Sequence, residues 1–427
     1  MSGFGSGSFS PSRTFWLFLS QVFAADGSCR ETLRKFLAWL AVAEQRTASP
    51  RTTAYCLARR RLVVDDLRDV HGQIADAIEA GIDEHDLWVG RRVKVVDGSS
   101  VSMPDTPENQ AAYPQPSGQA PGCGFPVLRI VAVFSLFSGT LLALAKGNLH
   151  LGEGALFRSL WEALCPADVV LTDRGFCSYA HIHLLAQRGV DVVMRNHQRR
   201  KSGVHVLQRL GPGDRLVAWQ KTSVCPNWMA PHEWDALPDT FRIREIDCPI
   251  AVAGFRTRSF VIVTTLLDAK AFPTDAFAEL YRRRWRAELF LRDIKTTMGF
   301  DILRCKSPDM IERELWMHLI AYNLVRALMG SAATTHGIPI ERVSFKGALA
   351  GIRQWAPRLA VEMEEDRRLG MIRLLLHALA RDLLPHRPNR SEPRARKRRP
   401  KNYQLLTKPR HLFVEIQHRS QHKKPLT

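Results

Sequence analysis

RVKVVDGSS, residues 92–100, decides the fold class. An apolar run from Val93 to Val96 ends in Asp97 and is followed at once by Gly98, Ser99 and Ser100, a pattern that predicts a strand delivering a carboxylate to its end. The arrangement returns in DVVLTD, residues 168–173, where a second apolar run delivers Asp173. Between the two, 127–137 and 141–145 are β-rich runs separated by the turn signal Ser138-Gly139, so three sequential antiparallel strands are expected. Helices over 153–165 and 178–188 and a strand at 191–194 complete a β-β-β-α-β-α-β order. The fold class expected is α/β, a mixed sheet layered with helices.

Outward from this core the rhythm changes on both sides. From 195 to 259 the helix and strand alternation stops, Pro and Gly accumulate, and Trp219, Trp228 and Trp234 stand close together, which predicts a mostly-β insertion subdomain. The α/β rhythm resumes at 260–266, FVIVTTL, and the α/β unit is expected to span 91–330. Residues 1–13 are rich in Gly and Ser and are expected to be disordered. Residues 14–90 have helical periodicity, and Arg59, Arg60 and Arg61 sit beside Tyr55 on a basic helix after a turn containing Pro50. Such a module fits DNA contact, and equally fits a helix-rich cap with a basic rim. A helical region is expected over 331–385. Residues 386–427 form a basic tail: from 387 onward there are thirteen Lys or Arg against two acids. Its run Arg396, Lys397, Arg398, Arg399 is of the kind that binds phosphate backbones without reading sequence.

The helix entered after 266 carries YRRRWRAELFLRDIK, residues 281–295. At 100° per residue, Tyr281, Arg284, Glu288 and Lys295 share a stripe roughly 60° wide, so one face presents a phenol, two cations and a carboxylate. A basic helix laced with ion pairs is the plain reading of this pattern. A metal held by the acid and bound to phosphate, with the cations neutralising phosphate oxygens, is the chemical one.

Charge and cysteine usage narrow the partners. Lys plus Arg outnumber Asp plus Glu by 61 to 42, a formal +19 over 427 residues of which 45% are hydrophobic. An excess of that size calls for a polyanion, and nucleic acid fits better than a membrane. No segment reaches the 18 or so unbroken apolar residues of a membrane span. Phe15, Phe18, Leu19 and Val22 recur at helical spacing, which favours an amphipathic helix over a secretion signal. The eight cysteines contain no CxxC pair. They read as reduced thiols of a cytoplasmic protein.

Asp97 and Asp173 from two strands of one sheet, with Glu288 on a helix packed across its rim, would offer three hard oxygen ligands with room for substrate oxygens. Mg²⁺ or Mn²⁺ suits such a set better than zinc. Two ions about 4 Å apart could activate a hydroxyl and stabilise the leaving oxygen of a phosphodiester.

Tyr281, Arg284, Glu288 and Lys295, separated by two, three and six residues, match the Tyr-Arg-Glu-Lys signature of the DDE transposases of bacterial insertion sequences, in particular the insertion-sequence-four family. DGSS around Asp97, TDRGF around Asp173, AYCLARRRL upstream, RIREI at 242–246 and EPRARKRRPK downstream extend the resemblance over nearly the whole chain. Cys225 departs from it, standing where a basic residue is expected before Pro226.

The resemblance implies a ribonuclease H-like catalytic core with the insertion placed before the glutamate. It implies two Mg²⁺ ions, Mn²⁺ able to substitute, held by Asp97, Asp173 and Glu288, with Tyr281, Arg284 and Lys295 gripping phosphates of the terminal nucleotides. The reaction implied is cut-and-paste transposition through hairpin intermediates on double-stranded DNA, at terminal inverted repeats and then at target DNA, by a homodimer. Trp219 is the expected aromatic platform for a flipped base. The alternatives are an inactive DNA-binding relative and a host nuclease on the same fold.

Overall fold

The structure is a computed structural model and describes residues 9–43, 45, 48–249, 259–385, 408–409 and 412–413. The tail cations Arg396, Lys397, Arg398 and Arg399 lie outside them. Helices α1 (Pro11–Phe23), α2 (Cys29–Val42), α3 (Thr52–Arg60) and α4 (Val64–Ala80) form the N-terminal region. Ser10 and Ser28 start the first two: each hydroxyl accepts from the backbone N–H three residues on, at 3.3 and 3.2 Å, which satisfies an amide the helix leaves unpaired. Helix α1 thus begins within the stretch 1–13 expected to be disordered, and Phe9 is buried against Phe36 and Tyr55.

Strand β1 (Val93–Ser102) follows, then α5 (Pro107–Ala112), β2 (Val127–Ser135), β3 (Leu141–Gly147) and α6 (Glu153–Arg158). Next come β4 (Val169–Thr172), α7 (Tyr179–Gln187), β5 (Asp191–Arg195), β6 (Val206–Gly211), β7 (Asp214–Gln220), α8 (Pro231–Asp235), β8 (Thr240–Pro249) and β9 (Ser259–Thr264). Among the described residues these strands form one sheet of nine, in the order β3-β2-β1-β4-β5-β9-β8-β7-β6. Only β1, β4 and β5 run parallel to one another; every other pairing is antiparallel. The class is α/β, mixed, as the alternation of runs predicts. The strands of the expected insertion, β6 to β8, extend the same sheet through β9.

The sheet carries an apolar layer on each face, which the alternation of side chains along a strand produces. Val95, Val101, Ile130 and Phe134 face one way and join Ala287, Phe290, Tyr322 and Val325. Val96, Val131 and Val133 face the other way and join Phe157, Ile182, Trp219 and Ile243. The first layer is covered by α9 (Thr274–Arg283), α10 (Trp285–Arg292) and α11 (Pro308–His336). Helix α11 is the hub: buried positions occur all round it, because it packs against α1, α4, α12 (Phe345–Leu359) and α13 (Glu365–Arg381) as well as the sheet. It ends at Gly337, whose φ of +63° is left-handed and suits glycine at a helix C-terminus. Among the described residues no helix is long and apolar enough to cross a membrane.

Candidate active site

Asp97 and Asp173 are brought together by strand register. β1 and β4 pair in parallel at Val93↔Val169, Lys94↔Val170 and Val95↔Leu171, so the same register carried two residues on sets Asp97 beside Asp173, with neighbouring strands roughly 4.8 Å apart. Asp97 is not at the end of its strand, as the sequence suggested: β1 continues to Ser102, paired with β2 through Asp97↔Ala132 and beyond, and bridged at Ser102 to Ile302. The β1–β4 pairing ends at Val95↔Leu171, and both acids lie just past it, half-buried. Asp97 Oδ1 accepts from the Gly98 N–H at 2.9 Å, and Asp173 Oδ1 from the Gly175 N–H at 2.8 Å.

Asp97 shares the face of Val95, the face that α10 covers. Glu288 and Arg284 therefore approach it from above. The helix expected over 281–295 is divided: Arg284 interrupts the helical hydrogen bonding between α9 and α10, and the last part, Asp293–Thr297, is a π-helical turn. Wide turns of this kind recur at functional sites. Here it lets Lys295 reach β1, with Nζ 2.8 Å from Ser99 Oγ and 2.7 Å from the Ser100 carbonyl oxygen. Beyond the turn the chain is stitched to the end of β1, Ser102 N–H donating to the Asp301 carbonyl at 3.0 Å and Leu303 N–H to the Ser102 carbonyl at 2.9 Å.

The electrostatics couple these residues. Burial pushes Asp97 up to about 6; the Arg284 guanidinium and the Gly98 N–H oppose it, and the neighbouring Asp173 and Glu288 carboxylates add to it. Arg284 Nη2 meets Glu288 Oε1 at 3.1 Å. Burial pulls the Arg284 guanidinium down, but Tyr281, Glu288 and Asp97 outweigh it and the net direction is up. Tyr281 is pushed up to about 12 by burial, against Arg284 and Arg195, and its ring lies 4.9 Å from that of Phe260. Tyr281, Arg284, Glu288 and both aspartates thus interact where the β1–β4 pairing ends inside the sheet, and Lys295 is anchored on β1 next to them.

Divalent ions fit this donor set on its chemistry: three carboxylates converge, and the mutual repulsion that helps raise Asp97 is what a cation relieves. At least one pair of them is separated by more than 4.8 Å. Among the described residues the one trio whose ligand atoms all fall within that distance is Asp83, His85 and Asp86, an exposed cluster ahead of β1.

Two expected DNA contacts are corrected. Arg59 is buried, its guanidinium 4.8 Å from the Phe18 ring and 5.2 Å from that of Tyr55, whereas Arg60 and Arg61 beside it are exposed. Trp219 is 3% exposed and belongs to the apolar layer on the face opposite α10. Its indole N–H donates to Glu245 Oε1 at 3.1 Å, and Arg200 covers its ring at 4.1 Å.

Residues that the sequence reading passed over also border the site. A cleft of about 140 Å³ next to the Asp173 turn is lined by Arg174, Arg195, Asn196, His197, Arg200 and Phe260, among others. None of the three arginines is ion-paired among the described residues, and Asn196 Oδ1 is buried there with no hydrogen-bond partner. The RNHQRR run at 195–200 was the available signal. On the other face, Glu153 lies so close to Gly98 that a Cβ there would stand 2.6 Å from its carboxylate.

Residues 88–324 match the family described as "Transposase DDE domain", more than half of the chain and the whole span from β1 to α10. The chain belongs to the DDE transposase family. It is also similar to transposase InsG for insertion sequence element IS4 of Escherichia coli (strain K12), with 29% identity over 363 residues, 83% of this chain and 78% of that protein. Among solved structures, a piggyBac transposase synaptic complex with hairpin DNA aligns over 90% of this chain and 87% of that one, at 11% identity and a TM-score of 0.40. Membership of the DDE family implies use of divalent metal, which accords with the acids gathered where the β1–β4 pairing ends.

Proposed function

We propose that the chain is a cut-and-paste transposase of insertion-sequence type, which binds the ends of its element as a homodimer, cleaves them through a hairpin and joins them to target DNA. The observation that carries this reading is the convergence of Asp97, Asp173 and Glu288, three acids far apart in sequence, beside Arg284 and Lys295. Its catalytic core is ribonuclease H-like; support comes from the order β3-β2-β1-β4-β5 with β1, β4 and β5 parallel.

Asp97, Asp173 and Glu288 would hold two Mg²⁺ or Mn²⁺ ions, which when bound supply Lewis-acid activation of the attacking hydroxyl and of the leaving oxygen. A spread wider than a single tight trio suits two ions better than one. The other residues act on the DNA. Arg284 and Lys295 neutralise phosphate oxygens at the scissile position, and Tyr281, kept protonated by burial, donates its hydroxyl there. Arg174, Arg195 and Arg200 line an anionic strand's path away from the Asp173 turn. Arg60 and Arg61, exposed on α3, contact the duplex further out. Water attacks first to free a 3′-hydroxyl, and that hydroxyl attacks the opposite strand to form the hairpin.

The test is incubation of the full chain with a labelled element end in Mg²⁺ and in EDTA. Mg²⁺-dependent nicking, hairpin and strand-transfer products support the reading, and Asp97→Asn, Asp173→Asn and Glu288→Gln should each abolish them while end binding stays within a few-fold. Hydrolysis without strand transfer would make it a nuclease; binding without cleavage would make it an inactive relative.

A further inference from the structure

Helices α2 and α3 bring two thiols together in the N-terminal region. Cys29 opens α2 and Cys56 lies in the middle of α3, and their sulfurs are 3.8 Å apart. Both are half-buried, unlike Cys123, Cys177, Cys248 and Cys305, which are buried. A small solute can therefore reach them.

Their surroundings are cationic and polar. From α1, Gln21 Nε2 donates to Cys29 Sγ at 3.6 Å; from α3, Arg59 Nη2 donates to Cys56 Sγ at 3.9 Å. The contact with Cys29 lowers Cys56 to about 6; burial opposes this, and Arg59 and Arg60 add to it. Cys29 is raised by the same contact. Cys56, the thiol that the Arg59 guanidinium meets, is the nucleophile of the pair, and Cys29 is its resolving partner. The thiolate also serves Arg59, a buried cation that is otherwise held by the Phe18 and Tyr55 rings and by Gln21 Oε1 at 3.4 Å.

We propose that Cys29 and Cys56 form a peroxide-sensitive dithiol that closes to a disulfide joining α2 to α3. The Cys56 thiolate attacks one oxygen of hydrogen peroxide, the O–O bond breaks, and the hydroxide that leaves takes up a proton as water. Cys56 is then a sulfenic acid. Cys29 gives up its proton, attacks the Cys56 sulfur, and the S–O bond breaks with release of a second water. Two thiols are oxidised by two electrons in all, and one peroxide is reduced to two waters. Closure brings the sulfurs from 3.8 Å to roughly 2.05 Å, within reach of side-chain rotation and a small helix shift. It removes the anion beside Arg59.

The experiment treats the reduced full-length chain with stoichiometric hydrogen peroxide, blocks remaining thiols with N-ethylmaleimide and maps peptides by non-reducing mass spectrometry. A Cys29–Cys56 linked peptide should form before the exposed Cys165 is modified. In Cys29→Ser, dimedone should trap a sulfenic acid at Cys56, whereas Cys56→Ser should yield neither the disulfide nor a trapped Cys29. Arg59→Gln should slow the reaction several-fold and Arg59→Lys restore most of the rate, which marks Arg59 as a positioning residue. Faster oxidation of Cys165, a bond from Cys56 to the neighbouring Cys305, or a sulfenic acid on Cys29 would each overturn the proposal. The readout is on sulfur alone, so its failure is distinct from any failure of the DNA chemistry.

Discussion

Lys295 Nζ lies 2.8 Å from Ser99 Oγ, so the residue that closes the Tyr-Arg-Glu-Lys spacing is bonded to the strand that carries Asp97. Lys295 lies in the π-helical turn at Asp293–Thr297, and the bond fixes the end of α10 over β1. Lys295 is thereby a tether as well as a cation.

Removing the cation and removing one acceptor should separate these two roles. Lys295→Ala is expected to lower cleavage about 10- to 100-fold, the range of a charged hydrogen bond worth about 1.5–3 kcal/mol. It should also reduce the log–log salt slope of end binding by about one. Ser99→Ala should stay within a few-fold and leave the slope unchanged, because the Ser100 carbonyl still accepts. Cleavage and salt titrations of the two variants check this; equal losses would make Lys295 purely structural.

Asp97 should cost the ion-free fold stability at neutral pH. Its folded value is raised from 3.8 to about 6 by burial, so its stabilising contribution is complete below about 3.8, declines as pH rises through about 6, and is gone above that. Asp97→Asn should therefore raise the melting temperature at pH 7.5, by a stability on the order of 3 kcal/mol, and change little at pH 4. Mg²⁺ or Mn²⁺ should raise the melting temperature of the natural chain but far less that of the variant. Thermal scans across pH, with and without the ion, decide it. A variant that is less stable at pH 7.5 would contradict the buried-charge account.

How much of this was legible follows from which interactions are local. The apolar runs leading to Asp97 and Asp173 and the Tyr-Arg-Glu-Lys spacing are local patterns, and the α/β class and the nearness of these acids to Arg284 and Glu288 followed from them. The continuation of β1 to Ser102 was not, because it rests on β2 partners some thirty residues away. Arg59 looked like its exposed neighbours, yet Tyr55 at i−4 puts it on the buried side of α3, a signal that was present and outweighed by the Arg run. Trp219 alternates with Val217 toward Ile243, so strand parity alone would have assigned it to the core. RIREI kept its meaning hidden, since the partners of Arg244 and Glu245 come from distant segments: Asp214, Arg215 and Trp219 of β7, Gly203 and Phe272.

The cleft beside Asp173 gives a third expectation. Arg195 lines it and lies 5.7 Å over the Phe260 ring, so Arg195→Ala should weaken end binding and lower the salt slope by roughly one. Arg283, on the same helix as Tyr281, lies over the Phe137 ring at 5.1 Å and away from this cleft. Arg283→Ala should leave the slope unaltered. Identical slopes for the natural chain and Arg195→Ala would remove the cleft from the DNA path.

Trp219 now yields a stability prediction in place of a base-stacking one. Trp219→Ala should destabilise by about 3–5 kcal/mol, as for other buried aromatics, and strand the Glu245 carboxylate without one of its donors. Trp219→Phe keeps most of the packing and should retain hairpin formation. Loss of hairpins by a stably folded Trp219→Phe would restore the ring to the DNA chemistry.

Arg244 gives the last test, of how the extended part of the sheet supports α9 and α10. Its side chain is fully buried and meets Asp214 with two bonds, Nε to Oδ1 at 2.8 Å and Nη2 to Oδ2 at 2.6 Å. The same guanidinium donates to the Phe272 carbonyl at 2.8 Å, and Asp214 Oδ2 accepts from the Thr274 hydroxyl at 3.3 Å. One ion pair thus holds β7 and β8 to the loop and first residue of α9, which leads directly into Tyr281 and Glu288. Breaking one partner leaves a buried charge, so Arg244→Met and Asp214→Asn should each destabilise by about 3–5 kcal/mol, while the double change should recover a substantial part of the loss. A denaturant series on the three variants measures the coupling. Additive losses would mean that the pair does not act as a unit, and the start of α9 would then owe its position to the packing of Phe277 and Leu280 instead.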